Sequence, residues 1–165
     1  MKRRLVSEYS SFAILFCVVF LLYFRLWLFA LLLYVLWYLL FGMVGLAFSY
    51  SVKRKLGLSN FFIKISIPII LVPFRKAFYY WTKAVNVILA DSAEAPKAYV
   101  IAKKVNPDSL YTDNNRCMFF SFFAALLNDM GDKEKALYYL GKAEQLPHNA
   151  ALDDTLKKMR GEILG

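Results

Sequence analysis

The side chains equipped for chemistry are few and far apart. His148 is the only histidine and follows Pro147 at the end of a helical pattern, where a solvated cap is its ordinary role. Cys117 opens another helical stretch, a position where the helix N-terminus can lower a thiol pKa. Cys17, the second cysteine, sits inside a long apolar run. Two cysteines so placed give neither a disulfide framework nor metal-ligand spacing. Asp153-Asp154 open the last helix, where carboxylates suit the positive end of the macrodipole. No Ser-His-Asp or Cys-His arrangement assembles around these groups, and no Gly-rich phosphate loop occurs. The expectation is therefore a chain that is not an enzyme, with no catalytic residue, metal or cofactor.

Arg25 is the one charge between Tyr9 and Tyr50. An arginine inside a bilayer is a functional-site candidate. At the tip of a turn it is an anchor whose guanidinium reaches the headgroups. The anchor is the favoured reading; the other would make the chain a membrane enzyme working through Arg25.

The elements that position these residues follow from hydropathy. Apolar residues make up 59% of the chain, above the ~45–50% of soluble proteins. One helix over residues 9–50 would be roughly 63 Å long at ~1.5 Å per residue, twice the ~30 Å hydrocarbon core. The stretch therefore reads as a transmembrane hairpin, with helices at about 5–24 and 28–50 and a turn at Tyr23-Phe24-Arg25-Leu26-Trp27. A rival arrangement has a single span with the other half in the interface. The run is too long for a secretory h-region and lacks a small-residue cleavage site, so it reads as retained.

Charge is unevenly placed. Residues 1–90 carry eleven basic side chains against Glu8 alone, whereas residues 91–165 carry ten basic and eleven acidic ones. The basic residues flank the apolar run, so anionic lipid rather than nucleic acid is the expected partner surface. Arg25, Lys53, Arg54, Lys55, Lys64, Arg75 and Lys76 are the expected membrane-surface contacts. Lys2-Arg3-Arg4 and Lys53-Arg54-Lys55 place both termini in the cytoplasm by the positive-inside rule.

Residues 57–74 read as an apolar interfacial linker, with Gly57-Leu58-Ser59-Asn60 as a connector and Pro68 and Pro73 as helix breakers. From Arg75 the pattern becomes a series of amphipathic helices. Phe78, Trp81, Val85 and Ile88 share one face of the first. Asp91 with Glu94 makes a capping pair for the second, whose stripe is Ala95, Ala98, Tyr99, Ala102 and Val105. Thr112–Asn115 starts a third, with Phe119, Phe120, Phe123, Leu126 and Leu127 inward. Gly131-Asp132 marks the next corner, and Ala136, Leu137, Leu140 and Ala143 line a fourth helix. Residues 149–164 form a fifth, capping helix.

Gly131 to Pro147, GDKEKALYYLGKAEQLP, resembles the second half of a tetratricopeptide repeat, a helix–turn–helix unit of ~34 residues with small and aromatic residues at set places. The matching positions are Phe120, Phe123, Ala124 and Leu127, then Gly131-Asp132, then Ala136, Leu140 and Ala143. A more degenerate copy uses Tyr79, Asp91, Ala95, Tyr99, Ala102 and Pro107. Its departures are Lys83 where a small residue is usual and Asn86 where an aromatic is. The loop 108–114 lengthens the period. The resemblance implies a peptide- or protein-binding groove on the first helix of each repeat. Here that groove would be Tyr80, Ala84, Val87 and Ile88 with Ser121, Ala125, Asn128 and Asp129. The Lys/Asn set that clamps a terminal carboxylate in some members of the family is absent from these positions.

The whole reads as an all-α protein. Residues 1–56 form a membrane anchor with two transmembrane helices, 57–74 an interfacial linker, and 75–165 a helical array similar to tetratricopeptide repeats. The implied function is a multi-pass, membrane-anchored adaptor that organises a protein partner at the cytoplasmic surface, with self-association as one way to complete the short array. The alternative is a small subunit or assembly factor of a larger membrane complex.

Overall fold

Five residues of helix-capping type cap helices or short turns. The side chains of Asp91, Asn106, Thr112, Asp132 and Asn149 each accept a hydrogen bond from the backbone N–H two or three residues on, at 2.9–3.2 Å. Each satisfies a donor that the start of a helix leaves without an intrahelical partner. The structure, a computed structural model, describes residues 13–20, 22–24, 26–41, 43–66 and 73–165. Lys2-Arg3-Arg4, the turn-tip Arg25, Gly42 and Pro68 lie outside the described residues.

All regular structure among the described residues is helical, so the fold class is all-α. Residues 13–20 are helical. The helices that follow are α1 (Trp27–Phe41), α2 (Met43–Val52), α3 (Leu56–Ile65) and α4 (Pro73–Ala90). After them come α5 (Ala95–Ala102), α6 (Asp113–Asp129), α7 (Lys133–Glu144) and α8 (Ala150–Leu164). Single 3₁₀ turns at Ser92–Glu94 and Pro107–Ser109 precede α5 and α6. The chain divides into two compact units, Met1–Tyr79 and Tyr80–Gly165.

In the first unit, α1 exposes apolar residues at consecutive positions: Trp27, Leu28 and Phe29, then Leu31 and Leu32, then Tyr34, Val35 and Leu36. Such a helix has no polar face. No single helix among the described residues is long and apolar enough to cross a membrane. Trp27–Tyr38 and Met43–Val52 have the length and composition together, bent by 46° at the break between them. The expected helix over 28–50 is thus two helices.

The segment expected as a connector, Gly57 to Asn60, is part of α3. The local Gly-Leu-Ser-Asn signal for a loop is overridden by packing on α2. Ala47, Ser51 and Ser59 are fully buried, and their small side chains let the two helices approach. The Ser59 hydroxyl donates to the Ala47 carbonyl at 2.7 Å, and Tyr50 stacks on Phe62 at 5.4 Å. Between the helices, Arg54 has φ 56°, the left-handed region. Its N–H donates to the Ser51 carbonyl at 2.8 Å, and the Lys55 N–H donates to that of Tyr50 at 2.9 Å. This bonding pattern ends a helix cleanly, with an arginine where glycine is usual.

In the second unit α6 is central. Helices α5, α7 and α8 and the Pro107–Ser109 turn all pack on it. Leu110, Leu126, Leu127, Leu140 and Ile163 are almost completely enclosed. Burial of each such side chain stabilises by about 1.5–3 kcal/mol. Ala98, Ala102, Ala124, Ala136 and Ala143 have no exposed surface, and they sit where helices run close. The loop at 108–114 is also packed: Leu110 is buried, and Arg116 Nε donates to its carbonyl at 3.1 Å. Glu94 pairs with Lys97 at 3.0 Å. The Arg160 guanidinium makes two bonds to the Glu144 carboxylate, tying α8 to α7.

Gly131 ends α6 with φ 82°. Its N–H donates to the Asn128 carbonyl at 2.9 Å, and the Asp132 N–H donates to that of Leu127 at 2.9 Å. Asp132 then caps α7 through the Lys135 N–H, so two residues both stop one helix and start the next.

Candidate functional site

Aromatic side chains at helical spacing on α6 meet aromatics from α5 and α7. Tyr99 lies 5.1 Å from Phe123, and Phe123 lies 4.7 Å from Tyr139 in an edge-on contact. Phe119 and Phe120 extend the cluster, at 5.8 Å from Phe123 and 6.1 Å from Tyr139 respectively. Together with Ala102, Lys103, Val105 and Pro107 these five rings line a notch of about 210 Å³. Tyr99, Phe120 and Tyr139 are half-buried, so the notch meets solvent along ring surfaces.

Lysines sit on the rings at its rim. Lys103 Nζ lies 5.5 Å from the Tyr99 centroid. Lys142 Nζ lies 4.5 Å from that of Tyr138, 5.5 Å from Tyr139 and 6.0 Å from Phe120. All four distances are in the range of cation–π attraction. The Tyr138 hydroxyl hydrogen-bonds Lys142 and holds its pKa above the ordinary lysine value. Among the described residues, neither Lys103 nor Lys142 forms an ion pair. Tyr139, Lys103 and Lys142 were not singled out by the sequence reading. Their signal was a lysine four residues after a tyrosine, Tyr99 to Lys103 and Tyr138 to Lys142.

The residues expected from the repeat resemblance to line a groove lie elsewhere. Tyr80, Val87 and Ile88 are half-buried on α4, and Ala84 between them is fully buried. On α6, Ala125 and Asn128 are half-buried and Asp129 is exposed. Partial shielding by neighbouring protein raises the Asp129 carboxyl above its ordinary pKa. Ser121 is buried, and its hydroxyl donates to the Met118 carbonyl at 3.0 Å. None of these eight residues lines the aromatic notch.

Of the expected membrane-surface residues, Lys53, Arg54, Lys55, Lys64 and Lys76 are exposed and Arg75 is half-buried. Lys53, Arg54 and Lys55 are consecutive at the α2–α3 corner. A second, wholly apolar notch of about 320 Å³ is lined by Phe16, Cys17, Phe20 and Leu33.

His148 is tied locally. Its Nδ1 is 2.5 Å from the Leu146 carbonyl and its Nε2 is 2.7 Å from Asp153 Oδ1. Both neighbours are acceptors, so the ring is best satisfied when both nitrogens carry protons. The carbonyl first and the carboxylate second raise its pKa. Cys117 is fully buried, and desolvation, with a smaller push from the Asp153 charge, raises its thiol pKa. A buried thiol held in the neutral form is a poor nucleophile, whatever its place near a helix start. No group of three or more metal-ligating side chains occurs among the described residues. No family model matches the chain, and neither a curated protein nor a solved structure does.

Proposed function

We propose that the chain is a multi-pass membrane protein whose N-terminal apolar helices anchor a unit similar to tetratricopeptide repeats, and that this unit organises a protein partner at the cytoplasmic surface. The observation that carries the reading is α1, apolar and exposed at consecutive positions. Water penalises such a surface, and a bilayer accepts it. In this reading the first apolar segment, about 5–24, and the bent pair Trp27–Val52 are the two crossings. The Lys53-Arg54-Lys55 corner meets anionic headgroups, and the positive-inside rule puts it in the cytoplasm with both termini. An arginine at φ 56° costs about 1–2 kcal/mol over glycine, and retention of its charge there fits a headgroup contact. The outer face of α3, with Leu58 and Phe61, adds apolar surface, and the Lys64 stem carries its charge back toward the headgroups.

The protein-binding half of the proposal is tested on the full chain in native membranes, by crosslinking and purification. A soluble partner is expected with the full chain and with a version whose 9–50 segment is replaced by a neutral hairpin. It is expected to be lost when the chain stops after Tyr79. Partners held only through 9–50 would overturn the adaptor reading. That outcome would favour a second reading, a small subunit or assembly factor packed among partner spans. The apolar notch of Phe16, Cys17, Phe20 and Leu33 favours this second reading, because it can receive a side chain from a neighbouring helix.

A further inference from the structure

We infer that the aromatic notch between α5, α6 and α7 is a docking site for a short acidic peptide that inserts one apolar side chain between Tyr99, Phe120, Phe123 and Tyr139 and places flanking carboxylates on Lys103 and Lys142. The inference rests on the reading of Tyr80–Gly165 as a protein-binding unit and adds to it a place and a ligand chemistry.

Size is the first argument. A notch of about 210 Å³ is below the ~300–1,000 Å³ of small-molecule and cofactor sites, and it suits a single leucine or phenylalanine side chain. The walls are the second. Ring-on-ring contacts at 4.7–6.1 Å hold the aromatics in place, so an entering side chain meets a surface that is already formed. Rigid aromatic pockets of this kind are where binding energy concentrates at protein interfaces.

Charge complementarity identifies the flanks. The two rim lysines stand on ring faces; an ammonium has three N–H donors, so Lys142 keeps donors for an incoming acceptor beside its bond to the Tyr138 hydroxyl. The neighbouring Lys135 is already matched by Asp132 at 2.5 Å, and Arg160 by Glu144. Lys103 and Lys142 have no ionic partner among the described residues, nor does the adjacent Lys104 on the Tyr80 ring, and a docking partner supplies the acids. Exposed pairs of this kind act mainly on selectivity and association rate, and salt weakens them.

The test uses the full-length chain in phosphatidylcholine nanodiscs, which present no anionic lipid to compete. The probe is a fluorescein-labelled peptide, Asp-Glu-Leu-Phe-Glu-Asp, followed by fluorescence polarisation. Two control peptides replace its acids by amides or its Leu-Phe by Ala-Ala. The acidic apolar peptide is expected to bind, more weakly in high salt, and both controls are expected to lose affinity. The surface double variant Lys103→Glu with Lys142→Glu is expected to weaken binding roughly tenfold, since each exposed ion pair contributes a factor of about two to five. Tyr139→Leu, which keeps an apolar side chain in the wall, is expected to weaken it with helicity by circular dichroism unchanged. Absence of binding, equal binding of the amide or Ala-Ala peptide, or indifference to the lysine reversals would each overturn the site. If the site is overturned while the full chain still retains a soluble partner in membranes, the adaptor reading stands and the notch is not its contact. Loss of that partner as well overturns both.

Discussion

The same substitution at two glycines should move stability in opposite directions. Gly131 has φ 82°, and a Cβ built on it meets nothing within 4 Å. Alanine there is not blocked by any neighbour, so the cost is conformational alone. Forcing an L-residue into the left-handed region costs about 1–2 kcal/mol. Alanine returns about 0.4–1 kcal/mol by narrowing the unfolded ensemble, which leaves a net loss of about 1 kcal/mol. Gly141 lies inside α7, and a Cβ on it also meets nothing within 4 Å. No left-handed cost applies there, so Gly141→Ala is expected to stabilise by about 0.5–1 kcal/mol. For a unit of this size, 1 kcal/mol corresponds to about 4–8 °C in Tm. Thermal unfolding of the full chain in detergent, read by circular dichroism, resolves the difference. Gly131→Ala should melt several degrees lower and Gly141→Ala several degrees higher. Changes of the same sign, or a neutral Gly131→Ala, would refute the account of the α6–α7 corner.

Three further outcomes are expected. Ser59→Ala removes the buried hydroxyl bond to the Ala47 carbonyl and should destabilise the α2–α3 pair by about 1 kcal/mol, read as faster hydrogen exchange over residues 43–65. Arg54→Gly should stabilise that same corner by relieving the left-handed arginine, while weakening association with anionic vesicles; a loss of stability would contradict the strain argument. His148 has a folded-state pKa above its ordinary value, so its protonated form favours the folded state. Its contribution is complete below about pH 6.5, the ordinary histidine value, and is lost as pH rises through the raised pKa. Protection of the α8 N-terminal amides should decline over that window and become flat in His148→Gln; protection that rises with pH would contradict the assignment.

Much of the second unit was legible because its signals are local. Thr112, Asp132 and Asn149 are cap residues just ahead of apolar periodicity, and each caps the helix that it precedes. Gly131-Asp132 marks a corner in sequence and forms one in the structure. Of the expected stripe on the fourth helix, Ala136, Leu140 and Ala143 are buried and Leu137 is half-buried. What was not legible depends on partners distant in sequence. Gly57 to Asn60 looks like a loop until the Ser59 hydroxyl finds the Ala47 carbonyl twelve residues away. The break between α1 and α2 is not distinguishable from a continuous helix by hydropathy alone, since both sides are apolar. The aromatic notch needs Tyr99, Phe123 and Tyr139 from three helices, and only the packing of α5 and α7 on α6 brings them together. Of the eight groove residues inferred from the repeat resemblance, Ala84 and Ser121 are buried, because helix position alone does not say which face a neighbour covers.

The membrane anchor is the claim on which the rest depends, and topology tests it most directly. The background is Cys17→Ser, since Cys17 is exposed, whereas Cys117 is buried and should stay unlabelled. Single cysteines at positions 1, 25, 57 and 165 are then probed with a membrane-impermeant maleimide in sealed vesicles of known orientation. The account predicts labelling of 1, 57 and 165 from the cytoplasmic side and of 25 from the other. Labelling of 25 and 57 from the same side, or release of the chain from membranes by alkaline carbonate, would contradict it.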